Sequence, residues 1–146
     1  MLGELTASQI EELLHAEVIA RIGCIDEDGR VYVVPVSYAY DGTYLWGHGM
    51  DGVKLRAMRS HPEVCVEVER VDDLSNWRSV IARGRFEECH GPDRDAGMAL
   101  LVRRIMPLLK FPPHRPPPDP AGPKHGSVYR IKLSEKSGRF EEVHDD

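Results

Sequence analysis

The sequence predicts a mainly β fold, a small closed or nearly closed β-barrel with peripheral helices. Short segments of alternating apolar and polar residues recur along the chain, and hairpin turns separate several of them. Only two or three segments have helical periodicity, and the repeated strand–helix–strand order of a parallel sheet is missing. The 146 residues, 41% of them hydrophobic, suffice for a single domain over 1–146 with its own core.

The first elements are a helix followed by two hairpins. A helix is predicted over 6–16, because Thr6 and Gln9 have the spacing of a capping box and an apolar stripe follows them. The segment Asp26–Gly29 and the pair Asp41-Gly42 have the composition of hairpin turns. Three strands are therefore expected to pair in succession as a meander, at 20–25, 30–40 and 43–47.

The remaining elements alternate between helices and strands. Helices are predicted at 52–59 and 92–110, and strands at 64–71, 77–89 and 127–133. Gly84 inside its strand indicates a bend or bulge, and Pro107 should kink or end its helix. A charged tail is expected over 136–146. Seven of the eleven prolines lie between 112 and 123, so 112–126 is interpreted as a proline-rich surface loop.

Composition and motifs argue against several classes of function. The net charge of −5, without any block of like charge, disfavours a nucleic-acid partner. No apolar run approaches the roughly 20 residues of a membrane helix, and the acidic, amphipathic start does not resemble a signal peptide. Three widely spaced cysteines fit a cytoplasmic protein without disulfides. We find no zinc-hydrolase, metal-knuckle or serine-hydrolase motif, and we predict no metal site.

The segment 34–54 has the composition of a phosphate-binding turn. Glycines at 47, 49 and 52 let backbone N–H groups approach a ligand, and a helix beginning near Val53 adds its positive dipole end. Lys54 supplies a formal charge, and Arg56 lies close to it. The alternative is a glycine-rich turn with a solvated lysine, and spacing alone favours that alternative.

Five motifs occur in a defined order along the chain. They are V-P-V-x-Y-x-Y from Val34, D-G at Asp41, L-W-G-H-x₃-G-x-K from Leu45, H-P-E-V-C-V-E-V from His61 and S-V-I-A-R-G-R from Ser79. Together they resemble the pyridoxamine 5′-phosphate oxidase-like, flavin-binding split-barrel superfamily. Within it the chain is most similar to the nitroimidazole-reductase (NimA-like) branch. The similarity runs from about residue 19 to residue 88.

This resemblance implies a split β-barrel of the FMN-binding type that pairs as a homodimer, with the cofactor in a cleft at the interface. It implies that Val34, Pro35, Val36 and Ser37 line the flavin ring. It places His48 near cofactor and substrate, and Val53 and Lys54 at the phosphate. It places Trp77 and Ser79 close to the cofactor, with the second subunit as a candidate source. Met50 departs from the small residue often found at its position.

The resulting hypothesis is a flavin-dependent oxidoreductase that reduces a small organic molecule, with a nitro-aromatic as one candidate and NADH or NADPH as candidate electron donor. His48 is the candidate acid, because histidine changes charge nearer neutral pH than other side chains. His125, at the start of the last strand, is a further candidate to reach a site. Three alternatives stay open: the same fold with deazaflavin F420, a non-catalytic flavin- or haem-binding protein, and a split barrel without cofactor.

Overall fold

The described part of the chain forms an eight-stranded antiparallel sheet with three α-helices. This computed structural model describes residues 1–111, 113–114, 122 and 125–144. The strands are β1 (Leu2–Glu4), β2 (Ile19–Ile25), β3 (Val31–Ser37), β4 (Ala39–Tyr40), β5 (Tyr44–Gly49), β6 (Glu63–Asp73), β7 (Asn76–Cys89) and β8 (Ser127–Glu141). The helices are α1 (Ala7–Ala16), α2 (Val53–Ser60) and α3 (Gly91–Ile105), the last followed by a 3₁₀ turn at Met106–Leu108. The predicted mainly β architecture with peripheral helices is confirmed.

The strand order is β3-β2-β6-β7-β8-β5-β4, and β1 pairs with the far half of β8. Strand β8 is central to this arrangement, because it pairs with β7 along most of its length and with β5 along its first half. The predicted meander is therefore wrong in one respect. Strand β5 does not pair with β3, although only six residues separate them in sequence.

Tyr38 explains this difference between prediction and structure. The predicted strand 30–40 breaks at Tyr38, so β3 lies at one edge of the sheet and β4 at the other. The Tyr38 side chain is fully buried, and its hydroxyl donates to the carbonyl of Leu14 at 2.7 Å. Since a single residue links the two edges, the sheet must curl until they approach each other there. No ladder joins the edges within the described residues, so the sheet is split and not closed.

Two apolar clusters hold the helices against the sheet. The larger lies on the concave face under α1 and α2; its fully buried members include Leu14, Ile22, Leu55, Met58, Val66, Val68, Val80 and Ile131. The smaller joins α3 to the opposite face of β5 and β8 through Trp46, Met98, Leu101 and Val128. Gly97 permits this contact, because a Cβ at that position would lie 2.5 Å from the Trp46 ring.

The ends of several elements differ from their predictions. The capping box of α1 is confirmed, with Thr6 and Gln9 bonded in both directions. The tail predicted over 136–146 is wrong up to Glu141, because the long strand β7 supplies a ladder partner for these residues. The irregularity expected at Gly84 is not found there, because Gly84 pairs in register with Val64 and Leu133. The shift of register lies between Ile81 and Arg83, where Glu135 of the facing strand β8 has φ 45°.

The proline-rich loop predicted over 112–126 falls mostly on residues outside the described part. Helix α3 ends before Pro107, as predicted, and the chain is described again at Gly122 and from His125 onward. No helix among the described residues is long and apolar enough to cross a membrane.

Candidate functional site

The predicted site residues lie in three places of the fold. One group is on the edge strand β3, a second is at the junction of β5 and α2, and a third is at the start of β7. Strand β7 has 14 residues, and a straight strand of that length is about 45 Å long. His48 is level with Val128 and Cys89 at one end of this ladder, whereas Trp77 is level with Glu141 at the other. One chain therefore does not bring the junction and Trp77 together.

The predicted flavin wall on β3 presents two different faces. Val34 and Val36 point towards the core, while Pro35 and Ser37 are exposed on the outer face of the sheet. Pro35 lies opposite Arg21 of β2, and the other side of β3 has no partner in the described sheet. Proline is tolerated on an edge strand, where its missing N–H costs no ladder bond. Only the outward pair can offer side chains to a ligand on the outer face.

The junction of β5 and α2 places a lysine against two glycines. Gly49 lies under the end of the Lys54 side chain, since a Cβ there would be 3.1 Å from both Cε and Nζ. Gly47 makes room in the same way for Tyr129, whose ring centroid is 5.9 Å from Lys54 Nζ. The Tyr129 hydroxyl is buried and has no hydrogen-bond partner among the described residues. These two glycines let the lysine ammonium lie over the strand, partly removed from water.

Burial has an electrostatic consequence for Lys54. It lowers the pKa of the ammonium below its usual range, because removal from water penalises the charged form. No ion pair in the described part of the chain involves Lys54. Its position in the first turn of α2 adds the positive end of the helix dipole. A half-buried cation in such surroundings is stabilised by an anion.

The first turn of α2 offers further unused donors. Gly52 is the N-cap and provides no side-chain acceptor, and the turn contains no acidic residue. The leading N–H groups of a helix have no partner within the helix itself. With Val53 and Lys54 they form a cradle that can accept a phosphate.

The two arginines of α2 are engaged with carboxylates. Arg56 Nε lies 3.2 Å from Glu27 in the turn between β2 and β3. Arg59 donates to both carboxylate oxygens of Glu88, at 2.8 and 2.9 Å, and to Asp51 at 3.0 Å. Arg59 holds the pKa of Glu88 down to about 2 through these hydrogen bonds. These arginines are therefore committed to structure, in contrast to Lys54.

His48 lies on the opposite face of β5 from Gly49 and Lys54. Side chains alternate along a strand, so His48 shares its face with Trp46. Its Nε2 is 2.7 Å from the carbonyl oxygen of His125, just before β8. Strand β4 pairs only with Leu45 and Trp46, so the far edge of β5 from Gly47 to Gly49 has no partner strand within the described sheet. Lys54 and His48 thus lie on opposite faces of β5, and their contacts with Tyr129 and His125 are both on the side of β8.

Trp77 and Ser79 lie among carboxylates. Trp77 Nε1 donates to Glu141 at 3.1 Å, and Ser79 donates to Glu67 at 2.9 Å. Both line a cavity of about 650 Å³ between the start of β7, α1 and the end of β8, a size within the range of small-molecule sites. Burial raises the pKa of Glu67, whose second oxygen lies 3.5 Å from Arg21 without a well-formed hydrogen bond.

The structure adds groups that were not singled out from the sequence. The contact between Arg59 and Glu88 joins residues far apart in the chain, and no local pattern signals it. The hydrogen bond between His48 and the His125 carbonyl was predicted in part, since His125 was expected to come within reach of a site. Gly126, which follows His125, was not singled out from the sequence.

Comparison with known proteins gives a family match over most of the chain. The family model described as pyridoxamine 5′-phosphate oxidase matches residues 6–140. An uncharacterised protein of Rhizobium meliloti is 31% identical over 84 residues, which are 58% of this chain and 55% of that relative. The chain thus aligns with only about half the length of that relative.

Solved structures share the fold. A crystal structure of a FAD-binding protein from Mesorhizobium loti has 28% identity and a TM-score of 0.75, covering 97% of this chain and 99% of that one. A proposed 5-nitroimidazole antibiotic resistance protein from Bacteroides thetaiotaomicron has 16% identity and a TM-score of 0.73, covering 96% and 87% of the two chains. The second similarity concerns the fold alone.

Proposed function

Because the chain belongs to the pyridoxamine 5′-phosphate oxidase family, we propose that it binds a phosphorylated flavin, FMN, and reduces a small organic molecule. The observation that carries this proposal is the state of Lys54. The ammonium is half-buried in the first turn of α2, and no carboxylate pairs with it in the described residues. A cofactor phosphate supplies the missing anion.

The residues at this junction fit a phosphate by their chemistry. The helix N–H groups and Lys54 are donors only, and Gly49 and Gly52 leave them accessible. Flavin supplies the reversible transfer of electrons when it is bound. The protein contributes an anchor for the phosphate, made of Lys54 and the first turn of α2.

The same charges favour FMN over F420. A cofactor with a longer acidic tail needs a longer row of unpaired cations. Arg56 and Arg59 are already paired with Glu27, Glu88 and Asp51, so Lys54 alone among the three is available. The Mesorhizobium loti relative is described as FAD-binding. FAD carries the same ring as FMN. Titration with each cofactor therefore distinguishes an FMN-binding protein from a FAD-binding one.

A second copy of the chain completes the proposed site. Trp77 and Ser79 lie at the far end of the ladder from Lys54, so they cannot reach the same small ligand from one chain. Pro35, Ser37 and Ser79 share the outer face of the sheet, which also exposes Val33 and Ile81. In a homodimer formed through this face, one protomer contributes the phosphate anchor and its partner contributes Trp77 and Ser79.

His48 is the proposed proton-donating or polar group. Its ring lies on the face of β5 opposite Lys54, and its Nε2 is held at the turn before β8. Nitro-aromatic compounds are the first substrates to test, because the motifs between Val34 and Arg85 resemble the nitroimidazole-reductase branch. NADH or NADPH is the proposed electron donor. The cytoplasm is the proposed compartment, since Cys24, Cys65 and Cys89 are free thiols.

The first experiment is an absorption spectrum of the purified protein, followed by titration of the flavin-free protein with FMN, FAD and F420. We expect a flavin spectrum and saturable FMN uptake, and cofactor released by acid is identified by mass. A colourless protein that binds none of the three cofactors at high micromolar concentration would contradict the proposal. Tighter binding of FAD or F420 than of FMN would replace the cofactor but keep the site.

A second measurement separates an enzyme from a carrier. The flavin-loaded protein is given NADH or NADPH and a nitro-aromatic acceptor, and turnover is compared with that of His48→Gln. We expect the variant to retain FMN and to lose reductase rate. Binding without turnover for any acceptor would favour the non-catalytic alternative, and an unchanged rate would remove His48 from the reaction. Light scattering of both samples measures whether the chain is a dimer.

A further inference from the structure

The turn before β8 fixes the protonation pattern of His48. The carbonyl oxygen of His125 lies 2.7 Å from His48 Nε2. A carbonyl can only accept a hydrogen bond, so Nε2 carries the hydrogen and donates it. In the neutral ring Nδ1 is then left without a hydrogen, and it has no partner among the described residues. The imidazole therefore has one nitrogen committed to the fold and one left for a ligand.

Gly126 is what allows the turn to come this close. Its φ is 88°, in the left-handed region that favours glycine. A Cβ at this position would lie 2.7 Å from the carbonyl oxygen of Gly49 and 2.8 Å from His48 Nε2. The first of these atoms belongs to the backbone of β5 and cannot move aside without disturbing the strand. Any side chain at this position must therefore push the turn away from His48.

We propose that the His125–Gly126 turn is a positioning element for His48, which holds the imidazole as the Nε2–H tautomer and directs Nδ1 to the substrate. The role towards substrate rests on the proposed function, whereas the tautomer does not. The side chain of His125 takes no part, because the contact is made by its backbone carbonyl.

This arrangement has a chemical consequence for proton transfer. An imidazolium that gives up the Nδ1 proton becomes the neutral Nε2–H tautomer, and the hydrogen bond to His125 persists in both states. Donation therefore requires no ring flip and no loss of a contact. The neutral ring, by contrast, offers Nδ1 only as an acceptor, so His48 acts as an acid only in its charged form.

The test reads the ring nitrogens directly in flavin-free protein. Uniformly ¹⁵N-labelled protein is studied by long-range ¹H–¹⁵N correlation of its histidine rings, and the His48 signals are assigned by their loss in His48→Gln. We expect neutral His48 as the Nε2–H tautomer, with an Hε2 resonance that exchanges slowly with water. A wild-type spectrum with His48 as the Nδ1–H tautomer overturns the proposal, whatever happens with flavin.

The variants separate positioning from general strain. Gly126→Ala should abolish the slow exchange of Hε2 and mix the two tautomers of His48. Gly29→Ala is the matched control, because Gly29 has a similar φ of 79° but open space around it. It should leave the His48 signals in place, as should His125→Ala. Unchanged tautomer and exchange in folded Gly126→Ala would contradict the proposal; if this variant does not fold, the wild-type spectrum decides.

Discussion

Lys54 and Arg59 occupy the two ends of the same helix, α2, and they meet opposite surroundings. Arg59, in the last turn, is held by two carboxylates, Glu88 and Asp51. Lys54, in the first turn, lies half-buried over Gly49 without a carboxylate among the described residues. Both side chains are cations, so the difference comes from their neighbours. The cation at one end of α2 is paired within the described residues, and we propose that an anion pairs with the cation at the other end.

Arg59 and Lys54 should also contribute to different properties, Arg59 to the stability of the fold and Lys54 to ligand binding. A paired cation that is lost leaves carboxylates unsatisfied, and the folded state becomes less stable. An unpaired, partly buried cation contributes little to folding, because desolvation opposes it. Substitution at the two ends should therefore affect different measurements.

The largest effect is expected for Lys54→Met. The variant removes the charge but keeps an unbranched side chain over Gly49, so FMN affinity should fall about 10- to 100-fold, the range of a charge-assisted phosphate contact. The unfolding temperature of the flavin-free protein should stay the same or rise. Isothermal titration and thermal unfolding provide the two values.

Arg56→Met serves as the matched control for this change. It removes a neighbouring cation that is paired with Glu27 and exposed to solvent, so FMN affinity should change about twofold or less. Equal losses of affinity in the Lys54 and Arg56 variants would mean that overall positive charge, and not the position of Lys54, binds the cofactor.

A smaller effect of the opposite kind is expected for Arg59→Met. Loss of the contacts to Glu88 and Asp51 should lower the free energy of unfolding by about 1 kcal/mol, the upper part of the range for partly exposed ion pairs. Urea denaturation at pH 7 measures this change. Without urea, where the variant is folded, its FMN affinity should change far less than that of Lys54→Met. A variant as stable as the wild type would show that this contact is only a surface ion pair.

The smallest effect is the pH dependence of the difference in unfolding free energy between the wild type and Arg59→Met. The hydrogen bonds from Arg59 are the main reason that the pKa of Glu88 falls from 4.5 to about 2 in the folded chain, with a smaller contribution from Ser127. A lowered carboxyl pKa stabilises the fold above pH 4.5, and this contribution is lost as the pH falls from there towards 2. The stability difference between wild type and Arg59→Met should therefore shrink over that interval. A difference that stays constant from pH 7 to pH 3 would rule out Glu88 as its source.

Local features of the fold could be predicted from the sequence, because they depend on neighbouring residues. The capping box at Thr6, the hairpin turn at Asp26–Gly29 and the start of α2 after Gly52 all arise from short-range chemistry. The pairing of β5 with β8 could not be predicted in this way. An alternating strand signals which face it buries but not which strand it joins, and the edge change at Tyr38 depends on contacts with α1.

In the candidate site too, contacts between neighbouring residues could be predicted and contacts between distant residues could not. Apart from the Tyr129 ring, the environment of Lys54 is built from residues 47–54, so its glycines and its helix could be predicted from the sequence. The contacts of His48 with His125 and of Arg59 with Glu88 join distant parts of the chain. The separation of Trp77 from Lys54 follows from the length of β7 and its register with β8, which only the structure provides.

The pairing of β5 with the last strand also sets an order of events during synthesis. Strands β2, β3, β6 and β7 can pair with one another as soon as they leave the ribosome, since their partners precede them or follow closely. Strand β5 has only the two residues of β4 as an early partner and must wait for β8. Late, long-range pairing of this kind is slow. We therefore expect the strand that carries His48 to be among the last to become ordered.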